Sequence, residues 1–274
     1  MKTVISISNI AWEKSLDEEV AKTLQELGVS CIDIAPGKYF SDFSKTTDTQ
    51  IQVVRQKWAD WGFSIIGMQS LLYGTQGLNV FGDRNSQIAM LNHLQHVCHI
   101  GAQLGATKLV FGSPKNRDCS GLTGERANEI ALNFFSNLGR IAAEEGVTIC
   151  LETNPICYGA NFLTKTIDTY NFVKELAHPN IRMQLDTGAI FLNQEPIDVI
   201  EYVWGLVGHI HISEPNLSPL GFEKVNHKAV GEKLLSLDIS MPKTIEMLTK
   251  SENLRNIANA VKLTQQFYGD SNEQ

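Results

Sequence analysis

Four side chains that can bind a metal ion lie in the second half of the chain, each at the end of a short apolar segment. They are Glu152, Asp186, His211 and Glu246, at intervals of 34, 25 and 35 residues. Three carboxylates and one imidazole form a mostly oxygen donor set, which suits Mn²⁺, Mg²⁺ or Co²⁺ better than a structural zinc ion. We therefore expect a divalent metal site for Mn²⁺ or Mg²⁺, with Co²⁺ or Zn²⁺ as alternatives.

The apolar segments in front of these four residues predict β-strands. Side chains alternate in direction along a strand, so all four groups can point to the same side of a sheet. A single acidic residue at a strand end more often caps a helix or pairs with a lysine. Four such groups together would repel or stay unpaired without a cation, which favours metal binding.

Eight segments of the chain predict strands. They are Thr3 to Ser8, Cys31 to Ala35, Phe63 to Gln69, Lys108 to Gly112, Thr148 to Glu152, Ile181 to Asp186, His209 to Ser213 and Thr244 to Met247. The segments between them have helical periodicity, as in Ser15 to Leu27 and Glu125 to Ala143. Strand and helix therefore alternate along the chain.

Local signals predict where the helices begin and end. Ser15 with Glu18 predicts a capping box at the start of the first helix. Four glycines stand where helices should end: Gly28, Gly62, Gly105 and Gly146.

Eight strand–helix units of about 31 residues each predict an α/β fold, a single (β/α)8 TIM barrel, with its active site at the carboxyl ends of the strands. An open doubly wound sheet is the alternative, but no G-x-G-x-x-G motif follows the first strand. The chain contains no stretch typical of a linker, so we expect one domain over residues 1–274.

Composition limits the partners of the protein. The net charge of -7 and the sequence pI of about 5.5 disfavour nucleic acid and anionic membranes as partners, which leaves a small polar substrate. The five cysteines are odd in number and form no C-x-x-C pair, which argues against a disulfide framework. The amino terminus lacks a secretory signal, and no transmembrane segment is evident. We expect a cytoplasmic protein.

Further polar residues follow the predicted strands and are candidates for substrate binding: Gln69, Lys115, Arg117, Asn154, Tyr158, Glu214 and His227. Lys115 and Arg117 offer charged donors for a phosphate or a carboxylate. A solvent-exposed loop explains either residue equally well. His209, one layer below His211, is expected to support the site without binding the ion. The set His93, His96 and His99 has helical spacing, so no metal site is expected there.

Four motifs resemble the xylose isomerase-like superfamily of TIM barrels, in particular its sugar phosphate isomerase/epimerase and ketose 3-epimerase branch. The motifs are Leu151–Pro155, Gln184–Gly188, Gly208–Glu214 and Thr244–Glu246. The resemblance implies that Glu152, Asp186, His211 and Glu246 bind a divalent ion and that the two glutamates form an acid/base pair. It implies an isomerase or epimerase that moves a proton through a metal-bound enediolate of a sugar, or of an acidic or phosphorylated derivative. Barrels of this type often pair, so a homo-oligomer is an expectation.

The chain departs from the ketose 3-epimerases at three positions. It has Ala189 where they have a histidine, Tyr158 where they have a glutamate, and Leu217 where they have an arginine. A free ketohexose is therefore not the expected substrate. Two alternatives stay open: a metal-dependent lyase of the dehydroshikimate-dehydratase type, and a sugar-binding barrel without turnover. An apurinic endonuclease is disfavoured by the negative charge and the few histidines near the predicted site.

Overall fold

Parallel strands close into a barrel in chain order, with the first strand paired to the last. The structure, a computed structural model, describes residues 3–223, 225–237, 240–249 and 253–269. In these residues eight strands form the ring: β1 Ile5–Ser8, β2 Cys31–Ile34, β3 Ser64–Met68, β4 Lys108–Phe111, β5 Thr148–Glu152, β6 Ile181–Asp186, β7 Val207–Ser213 and β8 Lys243–Glu246. Ser6 pairs with Cys31 on one side and with Thr244 on the other, which excludes the open sheet.

Helices follow the strands and cover the outside of the barrel. The described residues form α1 Asp17–Glu26, α2 Asp48–Asp60, α3 Arg84–Leu104, α4 Gly124–Glu144, α5 Thr166–Leu176, α6 Thr187–Leu192, α7 Val199–Val203, α8 His227–Ser236 and α9 Asn253–Tyr268. The order confirms the predicted single (β/α)8 barrel. In the part of the chain that the structure describes, no helix has the length and apolar character needed to span a membrane.

The predicted strands are all present, and their ends differ from the prediction by at most two residues. The largest extension is at β7, which begins at Val207. The four glycines that predicted helix ends all have positive φ, between 70° and 91°. The strands and the helix ends were predicted from local sequence signals, and tertiary contacts did not change them.

The predicted capping box at the first helix is wrong. A 3₁₀ turn, Lys14–Leu16, precedes α1. The N-cap residue of α1 is Leu16, which makes no side-chain hydrogen bond to the helix. A true capping box instead opens α2, where Thr47 and Gln50 bond each other's backbone amides. The four-residue motif at Ser15 is too common to identify a helix start without the surrounding structure.

Side-chain alternation divides each strand between the apolar shell and the barrel interior. Along β7, Ile210 and Ile212 belong to the apolar core, while the alternate residues His209 and His211 point to the other side. Other strands repeat the pattern, as with Ile32 and Asp33 on β2. The interior of the barrel therefore contains buried polar groups, which must be paired with each other or with a ligand.

Candidate metal centre

The four predicted metal ligands meet at the carboxyl end of the barrel. One ligand atom from each of Glu152, Asp186, His211 and Glu246 lies within 4.8 Å of the others. We call these four side chains the rim cluster. Strand register explains the meeting, because Asp186 lies beside His211 on β6 and β7, and Ser213 lies beside Glu246 on β7 and β8.

His211 has the least satisfied environment in the rim cluster. Its side chain is fully buried, and neither ring nitrogen has a hydrogen-bond partner. Nδ1 lies 3.2 Å from Glu246 Oε2 and 3.5 Å from Glu152 Oε1. Burial alone would lower the pKa of His211, but Glu246 and Glu152 raise it well above its usual value. A cation is therefore favoured at this nitrogen, as a proton or as a metal ion.

The surroundings of Asp186 in the rim cluster disfavour its negative charge. Burial, followed by repulsion from Glu152 and Glu246, raises the pKa of Asp186 from 3.8 to about 7. One of its oxygens accepts from the amide of Ala189 at 2.6 Å, capping α6, and the other accepts from Ser213 Oγ at 2.7 Å. Hydrogen bonds thus hold the carboxyl group in place, although burial and the neighbouring glutamates disfavour its negative charge.

The two glutamates have different surroundings. Glu246 Oε1 accepts from Gln69 Nε2 at 2.6 Å. Burial would raise the pKa of Glu246, but His211, with Gln69, lowers it overall. Glu152 is more open, with 16% of its side chain exposed, and its Oε2 accepts from Asn154 Nδ2 at 3.3 Å.

Gly112 gives Glu152 its position. A Cβ atom at Gly112 would lie 2.5 Å from Glu152 Oε2, closer than carbon and oxygen atoms can pack. The end of β4 therefore needs a residue without a side chain where the carboxylate lies over it.

A second group of buried polar side chains lies below the rim cluster: Asp33, Gln184, His209 and Thr244. We call it the inner cluster. His209 Nδ1 lies 3.0 Å from Gln184 Oε1, and its Nε2 lies 3.0 Å from Asp33 Oδ2. Thr244 Oγ1 donates to Asp33 Oδ1 at 3.3 Å. Burial would raise the pKa of Asp33, but His209 and the other neighbours lower it.

Asp33 is not among the site residues predicted from the sequence. The one available signal was a charged residue in the middle of the otherwise apolar strand Cys31–Ile34. Its partner His209 is distant in the sequence, and the strand register next to it is irregular between Ile32 and Asp33. Neither fact can be obtained from a local pattern.

Arg117 lies in the interior instead of at the mouth of the site. It is 1% exposed, and its Nη2 donates to the backbone oxygen of Glu152 at 2.6 Å. Neighbouring loops cover it, since Val80 N donates to Asn116 O and Asn161 Nδ2 donates to Asp118 Oδ1. Burial lowers the pKa of Arg117 to about 10. Lys115, in the same turn, is exposed.

Tyr158 and Asn154 are predicted residues that lie near the rim cluster, with Asn154 bonded to Glu152. Tyr158 is 40% exposed, and its hydroxyl accepts from the amide of Asn216 at 2.7 Å. Burial raises the pKa of Tyr158, and the nearby Asp186 and Glu246 raise it further. The phenol therefore stays protonated and can donate a hydrogen bond.

Glu214 and His227 bind each other instead of facing the mouth. His227 Nε2 lies 2.9 Å from Glu214 Oε1, and its Nδ1 lies 2.8 Å from the hydroxyl of Tyr268. Glu214 also accepts from the amides of Gly221 and Glu223 at 2.8 and 2.6 Å. These contacts connect the loop after β7 to α9.

The histidines of α3 are apart from the rim cluster. His99 contacts Asp48 and Glu145 at 2.8 and 3.2 Å, and His93 Nε2 lies 2.8 Å from the backbone oxygen of Leu71. The groups of the described residues that could hold a metal ion include neither.

The fold and the sequence together define the family. The family model for the xylose isomerase-like TIM barrel matches residues 21–267, and the chain belongs to this family. No curated protein sequence matches the chain significantly.

Several solved structures share the whole fold. A D-psicose 3-epimerase from Clostridium cellulolyticum H10, with D-tagatose, has a TM-score of 0.79 and 16% identity and covers 98% of this chain and 99% of its own. An L-ribulose 3-epimerase has a TM-score of 0.78 and 16% identity, with 97% and 94% covered. A 3-keto-D-glucoside 4-epimerase from E. coli has a TM-score of 0.77 and 13% identity, with 97% and 99% covered. At these identities the similarity establishes the fold.

Proposed function

We propose that this protein is a divalent-metal-dependent isomerase or epimerase of a sugar or an acidic or phosphorylated sugar derivative. The observation that carries the proposal is the rim cluster, where three carboxylates converge on a buried histidine without hydrogen bonds. Its position at the carboxyl ends of the strands is where barrels of this type perform their chemistry. The epimerases among the structurally similar proteins support this choice of reaction.

The rim cluster fits a divalent ion by its chemistry. Carboxylate oxygens with one imidazole suit Mn²⁺ or Mg²⁺, and a positive ion relieves the repulsion that raises the pKa of Asp186. When bound, such an ion acts as a Lewis acid toward a carbonyl and the neighbouring hydroxyl, which makes the adjacent carbon-bound proton more acidic.

Glu152 and Glu246 are the proposed acid/base pair. One carboxylate takes the proton from the substrate carbon, and the other carboxyl group returns a proton, so no group is lost and no oxidation occurs. The hydrogen bonds from Asn154 and Gln69 hold the two carboxylates in position. Return to the opposite face of the same carbon gives epimerisation. Return to the neighbouring carbon, with the hydroxyl proton passing to the former carbonyl oxygen, gives isomerisation.

Gln69, Asn154 and Tyr158 are the proposed substrate contacts. Gln69 Oε1 is buried without a hydrogen-bond partner, so it can accept from a substrate hydroxyl. Tyr158 keeps its hydroxyl proton for a substrate oxygen, because Asn216 uses the oxygen only as an acceptor. Lys115 is the accessible cation for an anionic substituent. We assign Arg117, Glu214 and His227 to the support of the surrounding loops.

The proposal is tested by metal binding and proton exchange together. Chelator-treated protein is titrated with Mn²⁺, then incubated in heavy water with keto sugars and acidic sugar derivatives, and deuterium at carbon is followed by NMR. We expect one ion per chain and metal-dependent exchange without loss of water. Glu152→Gln and Glu246→Gln should stop the exchange, and Glu125→Gln, on the exposed first turn of α4, should not.

Three outcomes contradict the proposal. Absence of Mn²⁺ binding at micromolar concentration removes the metal mechanism. Loss of water from the substrate identifies the lyase alternative. Metal binding without exchange across the whole panel indicates a binding protein without turnover.

A further inference from the structure

The inner cluster lies directly below the only histidine of the rim cluster. The His209 and His211 rings have centroids 5.1 Å apart in an edge-to-face arrangement. Both nitrogens of His209 already have partners, Gln184 and Asp33, and its side chain is only 3% exposed. His209 is therefore held as part of the support and has no free nitrogen for the ion.

Two buried atoms between the clusters make no well-aligned hydrogen bond: His211 Nε2 and Asp33 Oδ2, although Oδ2 lies 3.0 Å from His209 Nε2. One His211 nitrogen lies within 4.8 Å of ligand atoms of both Asp33 and His209. Nδ1 of His211 faces the two glutamates, which leaves Nε2 for the side of Asp33. A donor and an acceptor that each need a partner thus lie close together in the barrel interior.

A metal ion on Nδ1 would fix the proton of His211 on Nε2. In the neutral imidazole one nitrogen binds the ion and the other carries hydrogen, which ligating histidines generally donate to a carboxylate or a carbonyl. Asp33 Oδ2 is the carboxylate oxygen available to it, since it contacts His209 Nε2 at 3.0 Å without a well-aligned hydrogen bond. Where His211 Nε2 and Asp33 Oδ2 lie farther apart than a hydrogen bond, a small rotation of the His211 ring or one bridging water connects them.

We propose that Asp33 is a positioning residue for the metal centre, accepting the Nε2 hydrogen of His211 so that Nδ1 is presented to the ion. The inference depends on the metal site of the proposed function. Asp33 Oδ1 accepts from Ser6 at 2.9 Å and from Thr244 at 3.3 Å, which leaves Oδ2 for the two histidines. His209 then holds Oδ2 on the side away from the rim cluster.

Gly67 is the residue that makes this position possible. A Cβ atom at Gly67 would lie 2.0 Å from Asp33 Oδ2, a distance that no side chain tolerates. The glycine of β3 pairs with Asp33 on β2. The barrel is therefore built to admit a carboxylate oxygen at this point below His211.

The test compares Mn²⁺ binding by the whole chain and by two matched variants, measured by calorimetry. Asp33→Asn keeps the shape of the side chain and removes its charge. Asp17→Asn is the control, because Asp17 is equally buried and bonded to Trp12, Tyr39 and Lys57, outside both clusters. We expect Asp33→Asn to weaken Mn²⁺ binding about 10- to 100-fold, and Asp17→Asn less than about 2-fold.

A second measurement reports the hydrogen bond itself and is made on the wild-type chain, with a variant for signal assignment. In Mg²⁺-loaded protein with ¹⁵N-labelled histidine, the Nε2 hydrogen of His211 should exchange slowly and resonate downfield of the other imidazole hydrogens. The His211→Asn variant identifies the signal. If Asp33→Asn folds, the signal should move upfield in it, which a purely structural role would not cause.

The outcomes separate this inference from the proposed function. Wild-type protein that binds no Mn²⁺ removes the proposed function. Wild-type protein that binds Mn²⁺ while Asp33→Asn binds it equally well overturns the inference alone, as does a His211 signal that exchanges rapidly with water. Binding of two ions per chain also overturns it, because Asp33 and His209 would then be ligands themselves.

Discussion

The rim cluster and the inner cluster contain similar side chains, but they differ in how the carboxylates and imidazoles are paired. In the rim cluster, three carboxylates surround one imidazole that has no hydrogen bond, and the pKa of Asp186 rises to about 7. In the inner cluster, one carboxylate meets one imidazole, with an amide and a hydroxyl completing the contacts. In our proposal the rim cluster binds an external ion, and the inner cluster positions the histidine that holds it. This difference can be measured by exchanging single groups in each.

The largest expected effect is on chemistry at the rim cluster. Glu246→Gln should lower proton exchange by about 10²- to 10⁴-fold, because an acid/base group is lost. The metal-free variant should melt only slightly lower than wild type at pH 7, because His211 and Gln69 hold the pKa of Glu246 below its usual value and glutamine loses this contribution. Exchange is measured by NMR and melting by circular dichroism. A large fall in the melting temperature would show that Glu246 is part of the structural support.

In the inner cluster the loss should be one of stability. His209→Ala leaves Asp33 buried without its main partner, and breaking such a pair costs about 3–5 kcal/mol. Urea unfolding of metal-free protein measures the change in the free energy of unfolding. A loss below about 1 kcal/mol would mean that the inner cluster is no better satisfied than the rim cluster.

Asp186→Asn should stabilise the metal-free protein, and the gain should grow as the pH rises from 3.8 to about 7. The folded pKa of about 7 exceeds the unfolded value of 3.8, so the favourable contribution of protonated Asp186 is present below pH 3.8 and is lost as the pH rises through 7. At pH 8 asparagine avoids the buried charge, a gain on the order of 2–4 kcal/mol at about 1.4 kcal/mol per pKa unit.

Urea unfolding at pH 4.5 and pH 8, with chelator present, measures this gain. The backbone contact to Ala189 is retained by asparagine, so the helix cap does not change. Equal effects at the two pH values would contradict the electrostatic explanation. With Mn²⁺ present the variant should lack the stabilisation by metal that we expect for wild type.

The smallest effect is expected outside both clusters, at Glu214. Burial would raise its pKa, but His227 and the amides of Gly221 and Glu223 lower it. Its contribution to stability is therefore present above the unfolded pKa of 4.5 and is lost as the pH falls through the lowered folded value. Glu214→Gln should cost about 1.5–3 kcal/mol at pH 7, the range for hydrogen bonds to a charged group.

Thermal melts at pH 7 and pH 3 test this expectation. The difference between wild type and Glu214→Gln should shrink at the lower pH. Metal affinity should stay the same, because Glu214 contacts the loop after β7 and not the rim cluster. A difference that grows in acid would be inconsistent with a lowered pKa.

Local sequence patterns predicted most of the fold because each strand is short, apolar and followed by polar or turn residues. The same regularity predicted that the four rim residues would meet, since three of them end their strands and His211 lies two residues before the end of β7. Side-chain contacts between strands that are distant in the sequence could not be predicted from local patterns. The contact between Asp33 and His209 is the main example. Arg117 was expected near the substrate because its loop sequence is polar, but the loops on both sides cover it.

The ring of strands also sets the order in which the site can form. Glu246 belongs to the last strand, which completes the barrel only when Thr244 joins Ser6 near the amino terminus. Contacts between such distant segments form slowly, and until then β1 and β8 keep open edges that invite aggregation. The ion that we propose for Glu246 and three earlier strands would bind only the closed ring, so metal supply during biosynthesis should raise the yield of folded protein.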